Sequence, residues 1–164
     1  MKELILLRHG KAERPIKGQV DHERHLAPRG YHNIQEQAMR LKPEGVTCMV
    51  VSDAIRTIET AEVLRSAWIN SGVTKLPDLD LRRDAYLANA ETWMDLIRLT
   101  APTFSCLWAV GHNPGISDLV TLLTGDYIGM ATADIVRIQL ELDAWHDIST
   151  NCGRVVEHRP GRGD

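Results

Sequence analysis

Three short apolar runs, at residues 4–7, 48–51 and 106–110, each pass directly into a polar motif, and this arrangement constrains the fold more than any other feature of the chain. The runs do not alternate between apolar and polar residues, which is the pattern of strands buried on both faces of a parallel sheet. Helical periodicity separates them. Tyr31, Ile34, Ala38 and Leu41 recur at steps of three or four, as do Ile58, Ala61, Leu64 and Trp68. Ile116, Leu119, Val120 and Leu123 form a third stripe, expected to be bounded by Asn113 as N-cap, Pro114 at the first helical position and Gly125 beyond the end. Strands alternating with helices imply a parallel α/β sheet, in which ligands bind beyond the carboxyl ends of the strands. Arg8-His9-Gly10, Ser52-Asp53-Ala54-Ile55-Arg56-Thr57 and Gly111-His112-Asn113-Pro114 occupy those ends.

Later in the chain the period changes. Val136, Ile138, Leu140 and Leu142 alternate with Arg137, Gln139 and Glu141, predicting a half-exposed antiparallel edge strand, and residues 154–157 predict a last short strand. The length of 164 residues suits one domain, expected over residues 1–159, with a glycine- and arginine-rich tail at 160–164. Segments 12–27 and 70–90 read as loops placed to border a site.

Composition narrows the partners. Nineteen Lys plus Arg against 22 Asp plus Glu give a formal net charge of −3, which offers no global attraction to nucleic acid or an anionic membrane, so an anion site must be local. No run approaches the ~20 apolar residues of a membrane span, and the first is too short for a signal-peptide core; a soluble, cytoplasmic protein is expected. Cys48, Cys106 and Cys152 are an odd number without Cys-x-x-Cys spacing, and they read as free thiols. Neither Cys48 nor Cys106 precedes an arginine at the spacing of a cysteine-based phosphatase loop.

The residues at the strand ends suit phosphoryl transfer, which depends on positioned cations and a well-aimed nucleophile. Arg8 and Arg56 each offer a planar fork of donors able to meet two phosphate oxygens, so no metal or other cofactor is required. His9, with an ordinary pKa near 6.5 and neighbouring cations that favour the uncharged ring, is the expected nucleophile. A backbone carbonyl near Gly10 is the expected acceptor for its other nitrogen. Protonation of His9 would then remove activity in acid, and a rate flat down to about pH 4 would count against the role. His112, at a helix start, could donate to the same oxygens. Arg56 stands in the first turn of its helix, a poor place for a surface cation without a partner.

These three ordered motifs, with Ser52-Asp53-Ala54-Ile55-Arg56-Thr57-Ile58-Glu59-Thr60-Ala61 as the second, resemble the signatures of the histidine phosphatase (phosphoglycerate mutase-like) superfamily. Within it, Asp21-x-x-Arg24-x-Leu26 followed by Gly30 is most similar to the compact SixA-type phosphohistidine phosphatases. The resemblance implies a three-layer αβα sandwich, its sheet mainly parallel with one antiparallel strand. It also implies a covalent phosphohistidine on His9, a phosphate pocket completed by Arg8, Gly10, Arg56 and His112, and Arg24 near that pocket. Many members use a glutamate after the third strand to protonate the leaving oxygen. Here that region reads Leu81-Arg82-Arg83-Asp84-Ala85-Tyr86-Leu87, and Asp84 is the available substitute, although it also suits a helix-start or surface position. Without such an acid an alkoxide leaves poorly, whereas a phosphorylated imidazole can protonate on its second nitrogen and depart neutral.

The expectation is a metal-independent phosphatase acting on phosphohistidine in a protein, such as a histidine-containing phosphotransfer domain. The alternatives are a phosphatase for small phosphate esters, a phosphate-binding regulatory module with little turnover, and a metallophosphatase. His22-x-x-His25 with Asp21 and His32 matches no strong zinc pattern. Trp68, Trp93 and Trp108 read as core residues, and Glu91 as a helix-start residue.

Overall fold

The apolar runs become the centre of a six-stranded sheet. The computed structural model describes residues 1–161. In chain order these form β1 (Lys2–Arg8), α1 (Pro28–Arg40), β2 (Thr47–Ser52), α2 (Ile55–Asn70), β3 (Asp78–Arg82), α3 (Ala90–Arg98), β4 (Cys106–Gly111), α4 (Gly115–Thr124), β5 (Ile135–Leu140) and β6 (Gly153–Arg159). Short 3-10 turns lie at Asp21–Glu23, Arg83–Ala85 and Trp145–Asp147. The strand order is β3-β2-β4-β1-β5-β6. β3, β2, β4 and β1 are parallel neighbours, and β5 runs against both β1 and β6. The architecture is therefore the expected three-layer sandwich with one reversed strand.

Burial on both sheet faces explains the unbroken apolar runs. On one face Ile5, Leu7, Met49, Val51, Trp108 and Val110 pack with Ile34 and Ala38 of α1 and Leu64 and Trp68 of α2. Trp68 and Trp108 meet edge to face at 5.2 Å, and the Trp68 indole N–H donates to the carbonyls of Ala38 and Leu41 beyond its own helix. On the other face Leu4, Leu6, Leu107 and Ala109 pack with Trp93 and Ile97 of α3 and Ile116, Leu119 and Leu123 of α4. Trp68, Trp93 and Trp108 are fully buried, as their sequence positions suggested. Cys48 and Cys106 are buried thiols, and burial pushes the Cys48 pKa up to about 12.

Four boundary readings change. β5 is an inner strand, because β6 pairs along its far side and takes the edge. Segment 70–90 contains β3, whose residues are exposed or half-buried at the opposite edge and so give no apolar run to recognise. Asn113 does not cap α4: its side-chain oxygen accepts the Ser117 hydroxyl, its amide donates to the Met130 carbonyl, and the helix starts at Gly115. Gly161 of the expected tail is buried, with its N–H donating to Asp134; residues 162–164 lie outside the described part.

Gly115 shows how tightly the layer behind the site is closed. A Cβ built there would lie 1.8 Å from the Ala88 carbonyl oxygen, a backbone atom that cannot swing aside. Gly115→Ala is expected to lower unfolding stability by about 1–3 kcal/mol, read as a reduced urea midpoint at unchanged slope; an unchanged midpoint would show that the α3–α4 layer yields freely.

Candidate phosphoryl-transfer site

The strand order makes the three motif-bearing strands adjacent, with β4 between β2 and β1. Arg8 and Gly111 are register partners, so His9 and His112 emerge side by side from neighbouring parallel strands. The His9 N–H donates to the Gly111 carbonyl, and the two rings stand 5.3 Å apart. β1 leads to α1 on one face and β4 to α4 on the other, which opens the crevice found where connections diverge in such sheets.

The crevice has a volume of about 270 Å³ and is lined by Arg8, His9, Arg24, Arg56 and His112, together with Lys11, Ala12, Leu87, Asn113 and Thr132. Side chains from three motifs distant in sequence thus converge with Arg24. Gly10 does not line the cavity. Its N–H donates to the Thr60 hydroxyl, and a side chain there would press on the Gly30 carbonyl oxygen at 3.0 Å and on Ile34. Gly10 instead serves through its carbonyl.

That carbonyl lies 2.7 Å from Nδ1 of His9. A carbonyl can only accept, so Nδ1 carries the proton and Nε2 is the bare nitrogen. Burial, then the nearby Arg56, Arg8 and Arg24, lower the His9 pKa to about 3, against the opposing pull of the Gly10 carbonyl. The ring is consequently uncharged well below the range that its ordinary pKa suggests.

Arg56 reaches the crevice from the first turn of α2, and only 4% of it is exposed. Its compensation is Asp21, which the sequence offered within a subfamily pattern and a weak metal-site pattern but not as a partner of Arg56. Arg56 donates to the Asp21 carbonyl at 2.9 Å and to the carboxylate at 3.0 Å. The same carboxylate accepts Tyr86 Oη at 2.5 Å and Arg24 Nη1 at 3.1 Å. Tyr86 above all, with Arg24 and Arg56, holds its pKa well below the usual carboxylate range. Tyr86 also stands edge-on to His112 at 5.5 Å. Its role had no sequence signal, because a tyrosine in an irregular stretch carries no periodicity.

His112 is buried, and its pKa is lowered to about 3 by burial first and then by His9 and Arg56. Arg56 Nη2 donates to its Nδ1 at 3.4 Å, which places the ring proton on Nε2, 2.7 Å from the Ser52 hydroxyl oxygen. In the free site His112 therefore presents an acceptor towards Arg56.

Asp84 does not join the crevice. It is half exposed and paired with Arg82 through contacts of 2.9 and 2.8 Å, and chiefly that pairing lowers its pKa. A carboxylate held ionised in this way is a poor proton donor. The candidate metal histidines also separate: His22 pairs with Asp53, His25 with Glu59 and His32 with Glu36. Among the described residues there is no cluster of three His, Cys, Asp or Glu arranged to hold a metal ion, and no helix long and apolar enough to cross a membrane.

Known proteins resemble this chain in part of its sequence and in its fold. The family model of histidine phosphatase superfamily branch 1 matches residues 4–80. The probable phosphoglycerate mutase GpmB of Proteus mirabilis is 36% identical over 87 residues, which cover 49% of this chain and 40% of that protein. The chain thus aligns with about two fifths of that relative. The candidate phosphohistidine phosphatase SixA of Nakamurella multipartitia superposes with a TM-score of 0.81 at 20% identity, covering 96% of this chain and 95% of the other. The protein histidine phosphatase SixA solved with tungstate superposes at 0.79 and 17% identity, covering 97% of each chain. Over residues 4–80 this chain is thus similar in sequence to the histidine phosphatase superfamily, and over nearly its whole length it shares a fold with the SixA structures.

Proposed function

We propose that this chain is a metal-independent phosphatase working through a covalent phosphohistidine on Nε2 of His9, with phosphohistidine in a protein as its substrate. The observation that carries this reading is the Nδ1–Gly10 hydrogen bond, which leaves Nε2 bare in a crevice that also holds Arg8, Arg56 and Arg24. In the first step the Nε2 lone pair forms a bond to phosphorus while the bond to the leaving group breaks, and the leaving group takes that bond's electrons. The arginine forks balance charge on the phosphoryl oxygens. In the second step water adds to phosphorus and the bond to Nε2 breaks, its electron pair returning to the ring; the water's oxygen and both its protons leave in dihydrogen phosphate, which then gives one proton to solvent. A bound phosphoryl dianion favours protonation of His112 by a proton taken from solvent, and the imidazolium can then donate to a phosphoryl oxygen.

The leaving group decides between substrates. Asp21, bonded to Arg56, is held ionised by Tyr86 and the arginines, and Asp84 lies outside the crevice paired with Arg82. Neither is suited to protonate an alkoxide. A phosphorylated imidazole protonated on its free nitrogen leaves as a neutral ring, so phosphorus bonded to nitrogen suits this site better than phosphorus bonded to oxygen. The GpmB sequence likeness and the SixA fold likeness are compatible with both chemistries.

A phosphohistidine protein, compared side by side with sugar and nucleotide monophosphates in excess chelator, is expected to be hydrolysed preferentially. Acid-labile phosphate should be trapped on His9 and be absent from His9→Ala. Preference for an ester would establish the small-molecule alternative, and phosphate binding without turnover of any substrate would establish a regulatory module.

The His9 pKa also moves the expected acid limb of the rate. With an acid-stable aryl phosphate as surrogate, the loss due to His9 protonation should appear below about pH 4, and a loss centred near pH 6.5 that disappears in His9 variants would contradict the buried, neutral ring.

Stability has the same origin. Between about pH 6.5 and 3 the unfolded chain binds protons that folded His9 and His112 refuse, so stability falls as pH falls, by up to ~1.4 kcal/mol per pH unit for each histidine. His9→Asn should show a shallower loss than the parent in urea titrations at pH 7, 6 and 5; identical slopes would refute the assignment.

A further inference from the structure

We infer that Thr132 is an additional phosphoryl-binding residue, its hydroxyl donating to an oxygen of the phosphoryl group held over His9. This rests on the phosphatase reading only for the identity of the reaction; the anion contact itself can be tested separately. Thr132 lines the same crevice as Arg8, His9, Arg56 and His112, and only 7% of it is exposed. Its hydroxyl oxygen is buried, yet none of the described residues offers it a hydrogen-bond partner. Buried hydroxyls are normally satisfied, and one on a residue that lines a cationic crevice can find its partner in what the crevice binds.

The backbone around Thr132 is fixed from several sides. The next residue, Ala133, has φ 65°, a left-handed conformation that a residue with a Cβ adopts only when its surroundings enforce it. Its N–H donates to the carbonyls of both Arg8 and His9, at 3.0 Å each. Arg8 Nη1 returns a bond to the Met130 carbonyl, and the Asp134 carboxylate accepts from the Ala131 N–H, the Gly161 N–H and the His158 ring. The strap at 130–134 is thereby tied to the two residues that begin the first motif. Strain at Ala133 and an unsatisfied hydroxyl at Thr132 occur together beside the nucleophile, where preorganisation for a ligand is of use. A hydroxyl at this place complements the arginines, since it adds a directional donor without adding charge.

The test compares Thr132→Val, which keeps the branched shape and removes the hydroxyl, with Thr132→Ser, which keeps the hydroxyl and removes a methyl group. Inorganic phosphate is titrated into each full-length protein, and melting is followed with and without it. Thr132→Val should bind phosphate about tenfold more weakly, as expected for losing a hydrogen bond to an anion. It should nevertheless melt no lower than the parent without phosphate, because no protein partner is lost, and should gain less stability when phosphate is added. Thr132→Ser should bind within about threefold of the parent, the hydroxyl having been kept. Parental phosphate affinity in Thr132→Val would overturn the proposal, as would an equal loss in Thr132→Ser. If the parent never carries phosphate on His9 the phosphatase reading fails, while the difference between the valine and serine variants still decides the role of Thr132.

Discussion

The parallel pairing of β1 with β4 is the constraint on which the site depends. With Arg8 opposite Gly111, the next residue of each strand is a histidine, and the sheet's own spacing delivers both rings to one point. Flexible loops are not needed to bring them together. Everything else at the crevice adjusts to that placement: the Gly10 carbonyl orients one ring, Ser52 at the end of β2 receives the other, and Arg56 enters from the helix that follows β2. The apolar faces below are what keep the register from slipping, because a one-residue shift would turn Ile5, Leu7, Leu4 and Leu6 to the wrong layers.

Much of this was legible in the chain because buried parallel strands have to be apolar throughout, and a polar motif after such a run can only lie at the sheet's edge. Arg8, His9, Arg56 and His112 were visible for that reason. The contacts of Asp21 with Arg56 and Tyr86, and the places of Tyr86 and Thr132, were not, because these residues stand in segments where the backbone follows no period and where their neighbours are set by tertiary contacts alone. β3 was missed on the same principle seen from the other side: a short edge strand with exposed residues has little hydrophobic pattern to display. β5 was assigned to the edge because its polar residues alternate, yet Arg137 finds Glu3 and Glu157 on the neighbouring strands. Alternation reported a half-polar face and not the absence of a neighbour.

The electrostatics divide labour between charge and neutrality. Permanent charge comes from guanidiniums, whose protonation no ordinary pH alters. Both histidines remain uncharged because burial among those cations penalises a further positive charge. On the proposed mechanism His9 is thus kept in its reactive form by the same groups that would attract the anion, and two requirements that compete in water are met by one arrangement.

The carboxylate of Asp21 adds a second consequence. It already occupies part of the Arg56 fork, supported by Tyr86 and Arg24, so on the proposed mechanism an incoming phosphoryl group would share that guanidinium with a resident anion. A cup whose cations are partly neutralised from within grips its guest less tightly than a bare pair of arginines would. Catalysts that discharge inorganic phosphate on every cycle gain from such moderation, because excessive affinity would leave them occupied by their own product.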